Sequence, residues 1–361
     1  MKKLLFLIFV FFTFSSNVYA ISDTAKSTIV MDMDSGRILY QKNADEQRLI
    51  ASITKIMTAV IAIENGNLDE EVTVGEEVLT MYGSNIYIEL GEKMTLKNLL
   101  YGLMLRSGND AAIVIAYHIG GTEEKFVEMM NAKAKEIGMK NTIYRNSHGL
   151  DESTKNYSTA RDMAILSSYA NKLDVYKEIS GTKKWTVQTD KKSYVWNNRN
   201  KLLYSYEYAT GGKTGYTPSA GRTLVTTAEK DGLKLTIVTL SDGNEYVTHE
   251  SLYEYCFDKY TNFLIVDKNN FDIDDSFFKD ELYIKESFTY PITSEEEEKV
   301  SIVVRLDKNK TYKNDEKVGR VIVKLEEQNI FTTDVFVKKD KNEKKGFFDK
   351  VKNFFKKLFG K

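Results

Sequence analysis

Leu49-Ile-Ala-Ser-Ile-Thr-Lys-Ile-Met-Thr-Ala-Val-Ile-Ala-Ile-Glu64, closed by Asn65-Gly66, is apolar nearly all round. A run of that kind reads as a buried helix, and Asn-Gly is a C-terminal stop signal. The one full charge near its start is Lys55, three positions after Ser52. Positions i and i+3 share a helix face, so the Lys55 ammonium can reach the Ser52 hydroxyl. A lysine inside a buried helix is costly unless it is paired or neutral. Burial and a neighbouring cation both lower a lysine pKa, which makes Lys55 a usable base and Ser52 a candidate nucleophile. The helix N-terminus also favours developing negative charge at Ser52. Ser-x-x-Lys occurs three times, at Ser52, Ser180 and Ser276, and only Ser52 begins an apolar helix. Taken alone, the pair reads equally as an N-cap serine with a snorkelling lysine.

Working outward, Thr28-Ile-Val-Met and Arg37-Ile-Leu-Tyr flank Asp34-Ser-Gly, which predicts a hairpin. Thr95 is placed to cap a helix through Leu105. Arg106-Ser-Gly-Asn-Asp reads as a loop, Ala111 to His118 as an apolar helix ending at Gly120-Gly121, and Thr122 to Gly138 as a more polar helix. Strand-like segments return near residue 185. Gly212 to Tyr216, Arg222 to Ala228 and Leu233 to Leu240 read as adjacent strands, the last two joined at Lys230-Asp231-Gly232. Strands at both ends of a helix-rich middle predict an α+β fold, a mainly antiparallel sheet covered by helices. From residue 266 to 338, β-branched runs at Leu282 to Ile284, Val300 to Leu306, Val318 to Leu325 and Val335 to Val337 predict a small C-terminal all-β domain. The main domain is expected over 21–265.

The ends of the chain read differently. Lys2 and Lys3, the apolar run from Leu4 to Phe14, and Val18-Tyr19-Ala20 predict a cleaved export signal over 1–20. From Lys338 to Lys361 there are ten lysines against three acidic residues. Phe347, Phe348, Val351, Phe354, Phe355, Leu358 and Phe359 fall on one helical face, with lysines off it. About 15 residues make roughly 22 Å of helix, short of a bilayer of about 30 Å. A basic amphipathic helix over 339–361, lying against an anionic membrane surface through 347–361, is the expectation. The protein is thus expected on the outer face of the bacterial cytoplasmic membrane, held peripherally.

Overall, 42% apolar and 29% charged residues with a net charge of −1 describe a globular chain and give no electrostatic case for nucleic acid. Cys256 is the only cysteine, so an internal disulfide is excluded. The three histidines, His118, His148 and His249, form no His-x-x-x-His or His-Glu-x-x-His spacing, so neither a metal nor another cofactor is expected. No Gly-x-Ser-x-Gly elbow supports a Ser-His-Asp triad.

Two further motifs give Ser52 and Lys55 a context. Ser107-Gly108-Asn109 lies between two predicted helices, and Lys213-Thr214-Gly215 opens a predicted strand after Gly211-Gly212. Each is common alone, as a helix cap or a solvated strand end. Together, in this order, they match the active-site set of penicillin-recognising serine enzymes. The chain resembles the serine-type D-alanyl-D-alanine carboxypeptidases, the low-molecular-mass penicillin-binding proteins. The resemblance runs from about residue 22 to the C-terminus. It includes Ala51-Ser-Ile-Thr-Lys-Ile-Met-Thr, Ser107-Gly-Asn-Asp-Ala-Ala, His148-Gly-Leu, Tyr157-Ser-Thr-Ala-Arg-Asp-Met and Lys213-Thr-Gly-Tyr-Thr. It implies a β-lactamase/transpeptidase-like domain with helices on both sides of the sheet.

The resemblance also implies roles. Ser52 attacks the carbonyl between two D-alanines of a peptidoglycan stem peptide, and Lys55 takes its proton. Ser107 relays a proton to the leaving amine. Asn109 holds the substrate amide and orients Lys55. Lys213 adds positive potential that favours neutral Lys55 and attracts the terminal carboxylate. Thr214, Thr217 and Arg199 approach that carboxylate, Gly215 leaves room for an extended peptide, and the backbone N–H groups of Ser52 and Tyr216 form an oxyanion hole. β-Lactam antibiotics are the implied inhibitors. A β-lactamase on the same fold is disfavoured, because no Glu-x-x-Leu-Asn motif is found and Gly108 stands where class A enzymes carry Asp. A D,D-endopeptidase stays open, since its difference lies in groove shape. A catalytically dead binding module is disfavoured by the intact set.

Overall fold

The computed structural model describes residues 21–273, 275–278, 280–308 and 311–338. The export signal expected over 1–20 and the amphipathic helix expected over 339–361 lie outside these residues. The chain divides into two compact units. Among the described residues, the first comprises 21–30, Tyr40–Ala228 and Thr236–Cys256; the second comprises Met31–Leu39, Glu229–Leu235 and the described part of 257–338.

A five-stranded sheet underlies the first unit, with two hairpin tips counted in the second. Its strands are Ser27–Asp32 (β1), Ile38–Lys42 (β2), Ala209–Thr217 (β3), Gly221–Lys230 (β4) and Leu233–Leu240 (β5), in the order β2-β1-β5-β4-β3. Both expected hairpins are present. Asp231 and Gly232 take φ +51° and +77°, the left-handed pair that a two-residue turn needs to match strand twist. The inner strand β1 is buried at every residue, which explains its run of apolar and small hydroxyl side chains. β3, at the sheet's edge, pairs antiparallel with β4, with Val225 opposite Lys213 and Thr223 opposite Gly215.

Helices Lys55–Asn65 (α1), Leu96–Leu105 (α2), Asn109–Gly120 (α3), Glu123–Glu136 (α4), Ala160–Ala170 (α5), Asp174–Gly181 (α6) and Glu245–Lys259 (α7) complete the unit. α1 is buried from Lys55 to Ala62 and packs against α2, α3, α4 and α5. That enclosure is what its all-round apolarity demands. Thr95 caps α2 as expected, accepting from the Asn98 N–H at 3.3 Å. Thr122 and Thr159 cap α4 and α5 in the same way.

The start of α1 differs from the expectation of a helix running from Leu49. Leu49 belongs to a two-residue strand, Arg48–Leu49, paired with Tyr157–Ser158. Ala51–Thr54 is a 3₁₀ turn, and the α-helix begins only at Lys55. Ala51 takes φ +48°, which no right-handed helix tolerates. Ser52 therefore sits on a tight turn before α1 and caps nothing. α3 likewise begins two residues earlier than expected, so Asn109 and Asp110 belong to its first turn rather than to a loop.

The second unit carries the expected C-terminal all-β domain. A four-stranded sheet contains Glu281–Ile284, Gln328–Lys338, Glu316–Leu325 and Val300–Leu306 in that spatial order, and Thr261–Val266 pairs with Phe288–Ile292. Val321, Val323, Val335 and Val337 are fully buried at its centre. One helical turn, Ser294–Glu297, is closed by a capping box between Thr293 and Glu296.

Candidate active site

Three chain segments converge on Ser52, and each is held by close backbone approach. The 3₁₀ turn carrying Ser52 lies against the edge strand β3. A Cβ on Gly215 would stand 2.9 Å from the Ser52 nitrogen, 3.1 Å from the Ile53 nitrogen and 2.4 Å from Thr223 Oγ1. Gly215 is thus required for the strand to touch the nucleophile turn, a tighter constraint than room for a peptide alone. On the far side, Gly149 (φ +87°) would place a Cβ 2.0 Å from the Ala51 carbonyl oxygen. Thr223 Oγ1 donates to the Ile50 carbonyl at 3.0 Å and fastens β4 to the same turn.

Lys55 is completely buried. Its Nζ lies 2.7 Å from Asn109 Oδ1, 2.5 Å from the His148 carbonyl oxygen and 3.1 Å from Ser52 Oγ. Burial brings its pKa down to about 7; Asp110 opposes that shift and the Arg199 guanidinium adds to it. The neighbours decide what the neutral amine does. The amide and carbonyl oxygens only accept, so together they take both N–H bonds. The lone pair is then left for the remaining neighbour, the Ser52 hydroxyl. Neutral Lys55 is oriented to receive the Ser52 proton.

Ser107 and Lys213 form a second pair. Ser107 is buried between α2 and α3 at φ +63°. Strain of that kind, in a non-glycine residue, persists only where the surroundings enforce it. Lys213 Nζ lies 3.0 Å from Ser107 Oγ and 2.7 Å from the Thr214 carbonyl oxygen. Burial pushes Lys213 well below the usual lysine range, and the charges of Lys55 and Arg199 push the same way. The cation that adds to the lowering of Lys55 is Arg199, and Lys55 and Arg199 in turn add to the lowering of Lys213. Asn109 fulfils its orienting part, gripping Lys55 through Oδ1 while its Nδ2 donates to the Tyr82 carbonyl at 2.6 Å.

These groups open on a cleft of about 550 Å³ lined by Ser52, Ser107, Arg199, Thr214, Gly215 and Tyr216, among others. Glu245 answers Arg222 at 3.3 Å, and Arg199 and Lys201 leave the wall basic, suited to a carboxylate ligand. Arg199 Nη1 donates to Ser84 Oγ at 2.8 Å. Thr217 departs from expectation. Its hydroxyl donates to Asp151 Oδ2 at 2.6 Å and accepts from the Ala220 N–H at 3.0 Å, so its one proton is already spent inside the protein. It does not line the cleft. Of the other expected site residues, Ser52, Ser107, Arg199, Thr214, Gly215 and Tyr216 line the cleft, and Lys55, Asn109 and Lys213 are buried behind it.

Sequence reading gave His148 no chemistry, and its ring has none here. The ring is buried and its pKa falls to about 3, through burial first and Lys55 second. Its backbone carbonyl is the functional atom. That carbonyl is placed by Asn146, whose Oδ1 accepts from the N–H of both His148 and Gly149 at 3.3 and 2.6 Å. His249, far from the cleft's chemistry, is buried between Thr226 and Thr239 hydroxyls at 2.7 and 3.0 Å. Asp110 and Ser84 were also missed.

Comparison with known proteins agrees with this geometry. A family model described as D-alanyl-D-alanine carboxypeptidase matches residues 15–244, and one described as penicillin-binding protein 5, C-terminal domain, matches residues 274–343. The chain is 37% identical over 257 residues to the D-alanyl-D-alanine carboxypeptidase DacF of Bacillus subtilis, covering 68% of this chain and 65% of that one. It is 36% identical to DacC of Escherichia coli, covering 63% and 59%. The chain thus spans somewhat under two thirds of the length of these curated relatives. Among solved structures, penicillin-binding protein 5 from Haemophilus influenzae is similar with a TM-score of 0.73 at 28% identity, covering 88% of this chain and 98% of that one.

Proposed function

The chain belongs to the D-alanyl-D-alanine carboxypeptidase family, and from that membership we propose that it removes the terminal D-alanine of peptidoglycan stem pentapeptides through an acyl-enzyme on Ser52. The observation that carries the reading is the Lys55 amine. Two pure acceptors claim its N–H bonds and leave its lone pair facing Ser52 Oγ at 3.1 Å. In this reading Lys55 takes the Ser52 proton as Oγ attacks the penultimate D-Ala carbonyl. The Ser107–Lys213 pair, joined at 3.0 Å, passes a proton to the departing amine. Arg199 and Thr214 receive the terminal carboxylate. The Ser52 and Tyr216 backbone N–H groups stabilise the oxyanion, each typically worth about 3 kcal/mol. Water then releases the shortened peptide by the reverse proton path. β-Lactams enter by the same attack and stay, because their leaving group remains tethered.

The test is direct. Benzylpenicillin should add one penicillin mass to the purified protein and none to Ser52→Ala, and a pentapeptide ending in D-Ala-D-Ala should release one D-Ala. Labelling of the Ser52→Ala protein would sink the assignment of the nucleophile. Cleavage confined to cross-linked dimers would replace carboxypeptidase by endopeptidase.

The proposal extends to location. The signal-like 1–20 and the basic aromatic face of 347–361 support export and peripheral anchoring on an anionic membrane. Removing 347–361 should move the protein from the membrane to the soluble fraction on cell fractionation; unchanged partitioning refutes the anchor.

A further inference from the structure

Asp110, the residue after Asn109, has a carboxylate that touches neither Ser52 nor Lys55, yet it is almost fully buried. Its oxygens accept from four backbone N–H groups: Ile86 at 3.0 Å, Tyr87 at 2.7 Å, Ile88 at 3.3 Å and Ala111 at 2.9 Å. Three of these belong to one loop, which has no strand or helix of its own to satisfy them. Tyr87 in that loop takes φ +62° while its side chain is 72% exposed. An exposed tyrosine gains nothing from packing that would hold a left-handed backbone; hydrogen bonds hold it, with its N–H donating to the Asp110 carboxylate at 2.7 Å and its carbonyl accepting from Lys192 Nζ at 2.6 Å. The loop is tied to α3 twice more. The Asn109 N–H donates to the Ser84 carbonyl at 2.7 Å, and the Asp110 N–H donates to Asn85 Oδ1 at 3.3 Å.

What the loop carries gives the anchor its meaning. Ser84 holds Arg199 in the cleft wall, and the Tyr82 carbonyl holds the amide of Asn109, which in turn holds Lys55. Gly108 belongs to the same device: a Cβ there would lie 2.8 Å from Asp110 Oδ1 and 3.1 Å from Ile86 Cγ2. The middle residue of Ser107-Gly108-Asn109 is glycine so that the carboxylate can reach the loop.

We propose that Asp110 is a positioning residue: its buried carboxylate fixes the 84–88 loop, and through Ser84 and Tyr82 it sets the placement of Arg199 and Asn109 around the nucleophile. This rests on the serine-peptidase reading for its catalytic readout and on the loop geometry for its structural one. Its charge acts in addition. Asp110 favours protonated Lys55, against burial and Arg199. The other groups within electrostatic reach are Lys213 and His148 beside Lys55, and Tyr194 with Glu92 and Glu89 beyond Asp110. Replacing the carboxylate with an amide removes a negative charge that favours protonated Lys55. Its NH₂ also faces amide donors that need acceptors.

The experiment compares the full chain with Asp110→Asn for the second-order rate of benzylpenicillin acylation across pH. Asp110→Asn should be slower by roughly tenfold or more at its optimum, and its acid limb should move to lower pH. A merely destabilising change would leave the limb in place. Equal rates and an unmoved limb overturn the inference. Hydrogen exchange of the unaltered protein decides it where the variant does not fold. The Ile86, Tyr87 and Ile88 amides should exchange at least tenfold more slowly than those of the exposed segment 152–155; equally fast exchange overturns the anchor. Failure of the unaltered protein to be acylated would overturn the functional reading instead, and the exchange measurement would still decide the loop.

Discussion

Lys55 places its chemistry within the neutral pH range. Its pKa is brought down to about 7 chiefly by burial, and only the unprotonated amine can accept the Ser52 proton. Below that pKa the base is progressively occupied, and the rate should fall about tenfold per pH unit. Acylation by a penicillin, followed by stopped flow from about pH 5 to pH 9, should rise through about pH 7 and level off above it. A profile flat across pH 7 would remove Lys55 as the base. This residue pair was legible because the spacing i, i+3 and the cost of a buried charge are visible in sequence. Asp110 was not, because its partners are backbone N–H groups 22 to 24 residues away, which no side-chain identity announces. Thr217 was misplaced for a geometric reason. It shares Lys213's face of the strand but lies four residues on, about 13 Å along the chain, where Asp151 awaits it.

At the scale of elements, the site depends on how close a strand comes to a turn. Gly215→Ala puts a methyl group within 2.9 Å of the Ser52 nitrogen and 2.4 Å of Thr223 Oγ1. The strand and turn must separate, which displaces the nucleophile and the amide paired with it. Acylation should fall about 100-fold, since displacements near 1 Å cost that much at a reacting centre. The fold should persist, with an unchanged far-ultraviolet circular dichroism spectrum; wild-type acylation would show that the turn can yield. The hairpins and the helices through Glu136 were legible from turn chemistry, caps and apolar period. Helix Glu245–Lys259 was not. Its buried face, Glu245, Thr248, His249, Leu252, Tyr253 and Cys256, keeps helical spacing, but the first three of its six positions are charged or polar side chains. Thr226 pairs both the histidine and Tyr253 from the neighbouring strand β4. The apolar signal was diluted by a hydrogen-bonded core. Ala51–Thr54 reversed that error, since its apolar residues suggested helix where a left-handed Ala51 and a strand pairing prevail.

Across the whole molecule, every residue of the candidate site belongs to the first unit, and the second has a core of its own. Val321 is fully buried in that second core. Val321→Ala should cost about 1 to 3 kcal/mol by leaving a cavity, read as a lower melting temperature. Penicillin acylation well below that temperature should stay within about twofold of wild type. A large loss of acylation would mean that the β domain governs the site. The two-part layout was legible from the change in pattern past residue 265. The allocation of the tips Met31–Leu39 and Glu229–Leu235 to the second unit was not, because hairpin tips carry local turn signals and no sign of the unit to which they pack.

Ala209–Thr217 ends its sheet, so a row of its backbone donors and acceptors has no neighbouring strand. An enzyme that reads extended peptides needs such a row, but a second copy of any chain with exposed backbone can use it too. The open edge that would admit a peptide is therefore also a colloidal hazard. Occupying the cleft should lower self-association of the purified protein, read by light scattering at matched concentration. A covalent inhibitor would act on the soluble protein as a formulation aid as well as a poison.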